Sequence, residues 1–189
     1  GQYVNWPTYN ADLHGSRYLP LDQINASNFK DLEVAWRIKT DAFGTRPEFK
    51  LEGTPLAVNG IVYATAGTRR SVIAVNGTTG ELLWTYGDRT EGPRAAASPR
   101  ALSGRGLSYW TDGTQERIYY VTVGYRLVAL DAKTGQRIKD FGNDGIVDLK
   151  QDFDQTLDPT TGEVGVHSAP AIAGNTIIIG AAFREGFTP

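Results

Sequence analysis

The stretch Val72-Ile73-Ala74-Val75-Asn76-Gly77-Thr78-Thr79-Gly80-Glu81-Leu82-Leu83-Trp84 has a second, weaker copy in Leu127-Val128-Ala129-Leu130-Asp131-Ala132-Lys133-Thr134-Gly135-Gln136-Arg137-Ile138. Each copy runs a short apolar segment into an Asx residue, then Thr-Gly, then a second segment. Asn76 or Asp131 can accept backbone N–H groups two or three residues on, and Gly80 or Gly135 takes the positive φ that closes the turn. Gly135 follows Gly80 by 55 residues. A repeat of that length fits four short strands and their turns, which is one blade of a β-propeller. Trp84 re-enters the sheet where a large flat ring can pack between blades.

Working outward, Leu56-Ala57-Val58, Asn59-Gly60 and Ile61-Val62-Tyr63-Ala64-Thr65 read as a hairpin, because Asn-Gly supplies the two positive-φ positions of a type I′ turn. Pro170-Ala171-Ile172-Ala173-Gly174-Asn175-Thr176-Ile177-Ile178-Ile179 repeats that unit, its Pro lying 115 residues, about two periods, after Pro55. Pro and Gly punctuate the chain every few residues, and no amphipathic helical run of convincing length is visible. The expected fold is all-β. A blade buries its faces only against its neighbours, so about 4 to 8 are needed to close a ring. The 189 residues hold about three, with expected boundaries at 30–85, 86–140 and an incomplete 141–189. The chain is therefore expected to be the N-terminal portion of a larger propeller, as a fragment or as one piece of a divided subunit. An independent β-sandwich is the alternative, but it leaves the repeat unexplained.

Composition narrows the chemistry. A formal net charge of -2 gives no basic footprint, which argues against nucleic acid as a partner. With no Cys there is no disulfide, thiolate metal site or cysteine nucleophile, and His14 and His167 are too far apart for a local metal motif. The longest apolar runs, such as Ile177-Ile178-Ile179, fall far short of the roughly 20 residues of a membrane-spanning helix. The chain opens Gly1-Gln2-Tyr3 and has no Met, so a start residue and any leader have been removed or lie outside it.

The pattern Ala-x-(Asn/Asp)-x-x-Thr-Gly-x-x-x-Trp resembles the tryptophan-docking repeat of the pyrroloquinoline quinone (PQQ)-dependent dehydrogenases, whose fold is an eight-bladed propeller. The second copy departs from it, with Lys139 about where the Trp would stand. Residues 18–28, Tyr18-Leu19-Pro20-Leu21-Asp22-Gln23-Ile24-Asn25-Ala26-Ser27-Asn28, look like the family's opening. Glu52-Gly53-Thr54-Pro55-Leu56 and Gly104-Arg105-Gly106-Leu107-Ser108-Tyr109-Trp110 resemble its first two cofactor segments. The resemblance runs from about Trp6 to Phe183. Phe141-Gly142-Asn143-Asp144-Gly145-Ile146-Val147-Asp148-Leu149 is similar to the membrane-bound glucose and sugar dehydrogenase branch, and the adjacent cysteines of the alcohol enzymes have no counterpart around Ala95-Ala96-Ala97-Ser98.

The resemblance implies a cofactor-binding set. PQQ is a flat quinone with three carboxylates, so Arg105 is the candidate cation, able to grip an oxygen pair bidentately. Glu52 matches the family's carboxylate near the cofactor; read alone it is a solvated strand-edge residue. His167 and Ser168 precede Ala169-Pro170, where the family places a hydroxyl, and His167 replaces the common Thr. Thr122 offers another hydroxyl, or bonds its own sheet. Ala181 and Ala182 fall where backbone approaches the quinone. Arg69 and Arg70 read as a solvated loop pair or as facing a substrate funnel. Ca²⁺ is the implied Lewis acid. Glu185 lies near the implied ligand segment, but Phe183-Arg184-Glu185-Gly186 matches it poorly, so no metal ligand is assigned.

These readings imply a quinoprotein oxidoreductase that oxidises an alcohol or aldose sugar by hydride transfer to PQQ, outside the cytoplasm or in the periplasm. Cytochrome c or a membrane quinone is the implied electron acceptor, and the rest of the propeller is a partner. The catalytic aspartate and stacking Trp are expected beyond Pro189, leaving this chain alone inactive. The competing class is a non-enzymatic propeller scaffold for protein assembly at the cell envelope.

Overall fold

The computed structural model describes residues 3–44, 52–99, 101–102 and 106–183. Strands β1 (Leu56–Val58), β2 (Ile61–Ala66), β3 (Ser71–Asn76) and β4 (Leu82–Tyr86) form one antiparallel sheet in chain order. Strands β5 (Ser108–Thr111), β6 (Glu116–Val121), β7 (Arg126–Asp131) and β8 (Ile146–Asp148) form a second, built the same way. Beyond them lie two short ladders. Strand β9 (Val164–Gly165) pairs with β12 (Ala182–Phe183), and β10 (Ala171–Ala173) pairs with β11 (Thr176–Ile178). Apart from two single 3₁₀ turns, the one helix among the described residues is α1 (Gly92–Ala97). The sequence reading found no helix because six residues are too few to show a 3.6-residue period.

The turns follow the local chemistry expected of them. Asn59 (φ 51°) and Gly60 (φ 80°) link β1 to β2. Asn76 Oδ1 accepts from the N–H groups of Thr78 and Thr79 at 2.9 and 3.0 Å, and Asp131 accepts from those of Lys133 and Thr134 at 3.0 and 2.8 Å. Gly80 (φ 74°) and Gly135 (φ 69°) take the left-handed conformation. The sequence reading missed a third copy: Asp158 accepts from Thr160 and Thr161 N–H, and its carbonyl accepts from Gly162 N–H.

Period-2 alternation stacks the sheets. On β3, Val72 and Ala74 face one core while Ile73 and Val75 face another, together with Trp36, Ile38 and Phe43. On β6, Ile118 and Tyr120 meet Val72 and Leu56, whereas Tyr119 and Val121 face away toward Val164 and Val166. Both faces of the central strands are thus apolar, because a sheet lies on one side and a sheet or an apolar loop on the other. Each fully buried Val, Ile or Leu in these layers contributes about 1.5–3 kcal/mol.

Trp84 seals the joint between the two sheets. Its Nε1–H donates to Ala132 O at 3.0 Å, and a Cβ on Gly135 would lie 2.5 Å from its ring, so only glycine admits the indole there. Trp36 makes the same contact one step earlier, donating to Gly77 O at 2.9 Å above Gly80. The sequence reading missed it, because Val34-Ala35-Trp36 has no Asx-Thr-Gly turn just ahead of it to mark the repeat.

Candidate functional site

The first strand of each sheet starts at the same corner of the stack, and the expected site residues sit just ahead of those starts. Glu52 precedes β1, and His167 and Ser168 precede β10. All three line one cavity of about 610 Å³, with Ser108 and Tyr109 at the head of β5 and the segment from Ala169 to Ile172. The Ser108 hydroxyl donates to the Pro170 carbonyl, which ties the second sheet to the β10–β11 ladder at this corner.

The N-terminal segment supplies the remaining wall, which the sequence reading did not foresee. Trp6 and Ala57 exchange two backbone hydrogen bonds of 2.6 and 3.0 Å, and this adds the incoming chain to the edge of β1. Residues 7–10 and 12–15 then border the cavity. Both histidines of the chain, His14 and His167, therefore border the same space. Asp12 is held below the usual carboxylate range by the Ser16 hydroxyl and N–H, even with the little desolvation it feels. The pairing of Trp6 with Ala57 has no signal in the sequence, since it joins segments 51 residues apart.

Other expected residues lie elsewhere. Arg105 and Glu185 fall outside the described residues. Ala182 is buried in the β9–β12 ladder opposite Gly165 and does not border the cavity. Thr122 is 2% exposed, and its hydroxyl donates to Glu91, so it belongs to a buried network on the far side of the second sheet's turns. Arg69 borders a second cavity of about 530 Å³ with Asp88, Arg89, Glu91 and Val123. Arg70 corrects the reading of a solvated or funnel-facing pair: it is 2% exposed and donates to the Val121 and Thr122 carbonyls at 3.0 and 3.1 Å. The turn at Gly67 folds its side chain inward, out of reach of any sequence rule.

That network is charged and buried. Burial lowers the Arg70 pKa to about 10, with the Glu91 charge acting the other way, so the guanidinium stays protonated at neutral pH. Burial raises the Glu91 carboxyl, opposed by hydrogen bonds from the Thr122 hydroxyl and Gly124 N–H. Arg94 reaches Asp148 with two nitrogens at 3.0 and 2.6 Å. Desolvation of Asp148 is outweighed by the Arg94 and Lys150 N–H hydrogen bonds and by the Arg94 and Arg126 charges, which together hold its carboxyl below the usual range.

The first cavity has the chemistry a flat polycarboxylate needs. Its volume lies within the 300–1,000 Å³ of small-molecule sites, Ser168, His167 and Tyr109 offer hydrogen-bond donors, and Tyr9, Pro170 and Ile172 add apolar surface. A divalent metal is less well served: among the described residues no group of three or more His, Cys, Asp or Glu is arranged to hold one. No helix among the described residues is long and apolar enough to cross a membrane.

Comparison with known proteins adds a family. Residues 6–189 match the PQQ family described as the glucose/ethanol/alcohol dehydrogenase β-propeller domain. The chain is 37% identical to the dehydrogenase subunit of a quinone alcohol dehydrogenase from Gluconacetobacter polyoxogenes, over 93% of this chain and 21% of that protein. It is 32% identical to the quinoprotein glucose dehydrogenase of Gluconobacter oxydans, over 95% of this chain and 24% of that one. These values do not single out the sugar branch. The crystal structure of the quinohemoprotein alcohol dehydrogenase from Comamonas testosteroni superposes with a TM-score of 0.72 at 29% identity, covering 95% of this chain and 23% of that one. The chain thus spans less than a quarter of the length of these relatives.

Proposed function

Because this chain belongs to the PQQ-dependent dehydrogenase β-propeller family, we propose that it is part of a quinoprotein oxidoreductase that holds PQQ against Glu52, His167 and Ser168 and oxidises an alcohol or an aldose. The observation that carries this reading is the convergence of those three residues, from two separate sheet entries, on one cavity. PQQ, when bound, supplies the two-electron acceptor. The Ser168 hydroxyl and His167 imidazole donate to cofactor oxygens, Glu52 accepts from a cofactor N–H, and Arg105 supplies the balancing cation. The segment of residues 7–15 narrows access of water to that wall. Ca²⁺ assistance belongs to the same proposal, with ligands outside the described set, and no step here depends on it. Transfer of electrons to cytochrome c or a membrane quinone, and a periplasmic location, complete the reading.

The test is a PQQ titration of the complete protein followed by tryptophan fluorescence. Saturable quenching is expected. Glu52→Gln and His167→Ala should each raise the apparent Kd about 10-fold or more, the value of one hydrogen bond to a charged group. A complete protein that binds no PQQ would overturn the enzyme reading in favour of a propeller scaffold.

A further inference from the structure

The buried charged network does more than join two sheets, because its partners converge on one turn and one loop. Gly124, in the turn between β6 and β7, has both backbone groups captured: its N–H donates to Glu91 at 2.9 Å, and its carbonyl accepts from Arg94 Nε at 3.2 Å. A Cβ there would lie 2.7 Å from the Glu91 carboxylate and 3.1 Å from Arg94 Cβ, so the fit requires glycine. Glu91 and Arg94 stand one turn apart at the start of α1, and Arg94 is anchored in turn by Asp148 at the end of β8. From the first sheet, Arg70 enters the same turn through the Val121 and Thr122 carbonyls and extends its third contact, 3.4 Å, to Ala101 O. Ala101 lies four residues before Arg105. A buried guanidinium that binds neutral carbonyls gains little over an apolar side chain of the same size, since desolvation offsets most of the attraction. What an apolar residue cannot do is fix three carbonyls from two segments in one plane.

We propose that Arg70, with Glu91 and Arg94, is a positioning residue that clasps α1 and the loop after it, and so sets where Arg105 stands for the cofactor without touching the cofactor itself. The inference rests on the proposed PQQ reading. It predicts that cofactor affinity depends on Arg70 through Arg105.

The experiment is a double-mutant cycle on the complete protein, reading apparent PQQ Kd alongside thermal unfolding. Arg70→Met should weaken PQQ binding about 10-fold when Arg105 is present and cause no further loss in the Arg105→Ala background. Arg70→Lys, with one compact ammonium in place of a fork, should fall between. An equal loss in both backgrounds, or no loss in a folded Arg70→Met protein, would overturn the proposal as that of a merely structural residue. Should Arg70→Met fail to fold, Glu91→Gln is carried through the same cycle with the same two outcomes. Absence of PQQ binding by the wild type overturns the function reading instead. The clasp is then read by hydrogen exchange: faster exchange across residues 98–107 in Arg70→Met supports it, and unchanged exchange sinks it.

Discussion

The first two sheets and the region after residue 150 use the same local vocabulary and end differently. The turn at Asp158 repeats the hydrogen bonds of the turns at Asn76 and Asp131, and the β10–β11 hairpin repeats the plan of β1–β2. Yet β3 and β7 lie at the centres of four-stranded sheets, with Val72 and Val128 fully buried, while Ile178 on β11 is 56% exposed. The two sheets have an indole wedged across their joint. At the corresponding place after the second repeat stands Lys139. Turn chemistry is local, so it forms wherever its residues occur; a buried sheet needs a neighbour on each face and a residue large enough to lock the joint.

Substitutions can break that contrast or sharpen it. The largest effect is expected for Trp84→Ala, which removes an indole packed on Gly135 and Tyr63 and its bond to Ala132. A loss of about 3–4 kcal/mol is expected in denaturant unfolding of the complete protein. Next comes the pair Gly135→Ala and Gly174→Ala, glycines of similar positive φ, 69° and 58°. The first drives a methyl into the Trp84 ring and should cost about 3 kcal/mol, whereas the second meets nothing within 4 Å and should cost only the backbone strain of about 1 kcal/mol. Equal costs would mean that the joint is not packed as described. Smaller still, Asp131→Ala and Asp158→Ala should each destabilise by about 1 kcal/mol and by similar amounts, because each removes the same local acceptor. A much larger loss for Asp131 would show that its turn is coupled to the joint above it.

The smallest effect is a pH dependence. The folded-state pKa of Asp148 is depressed, so the stability it contributes is present above its unfolded value and is lost as pH falls through the folded one. Melting temperature should therefore drop below about pH 4, and less steeply in Asp148→Asn, whose bond to Arg94 no longer titrates. Identical acid profiles would remove Asp148 from the account.

Much of this was legible in residue order. Asn59-Gly60, the Asx-Thr-Gly turns and the role of Trp84 follow from conformational preferences within a few residues. The family resemblance then pointed to Glu52, His167 and Ser168, which the fold brings to one cavity. Two copies of the signal were passed over although the residues were there to be read. The Asp158-Pro159-Thr160-Thr161-Gly162 turn falls only 27 residues after Gly135, about half the repeat, and Trp36 lacks a preceding turn. Thr122 was legible as a hydroxyl but not as a partner of Glu91, because the two meet through a crossing between α1 and a turn 31 residues away.

The sequence by itself determined the strands, their turns and the repeat, since these depend on φ preferences and on alternation over a few positions. Only the tertiary structure decided that Arg70 is a buried clasp rather than a solvated arginine, that Gly124 lies between a carboxylate and a guanidinium, and that residues 7–15 share a cavity with His167. Each of those outcomes depends on which segments of a stacked sheet meet, and burial turns a side chain that is neutral in water into one whose every hydrogen bond must be met from a distant part of the chain.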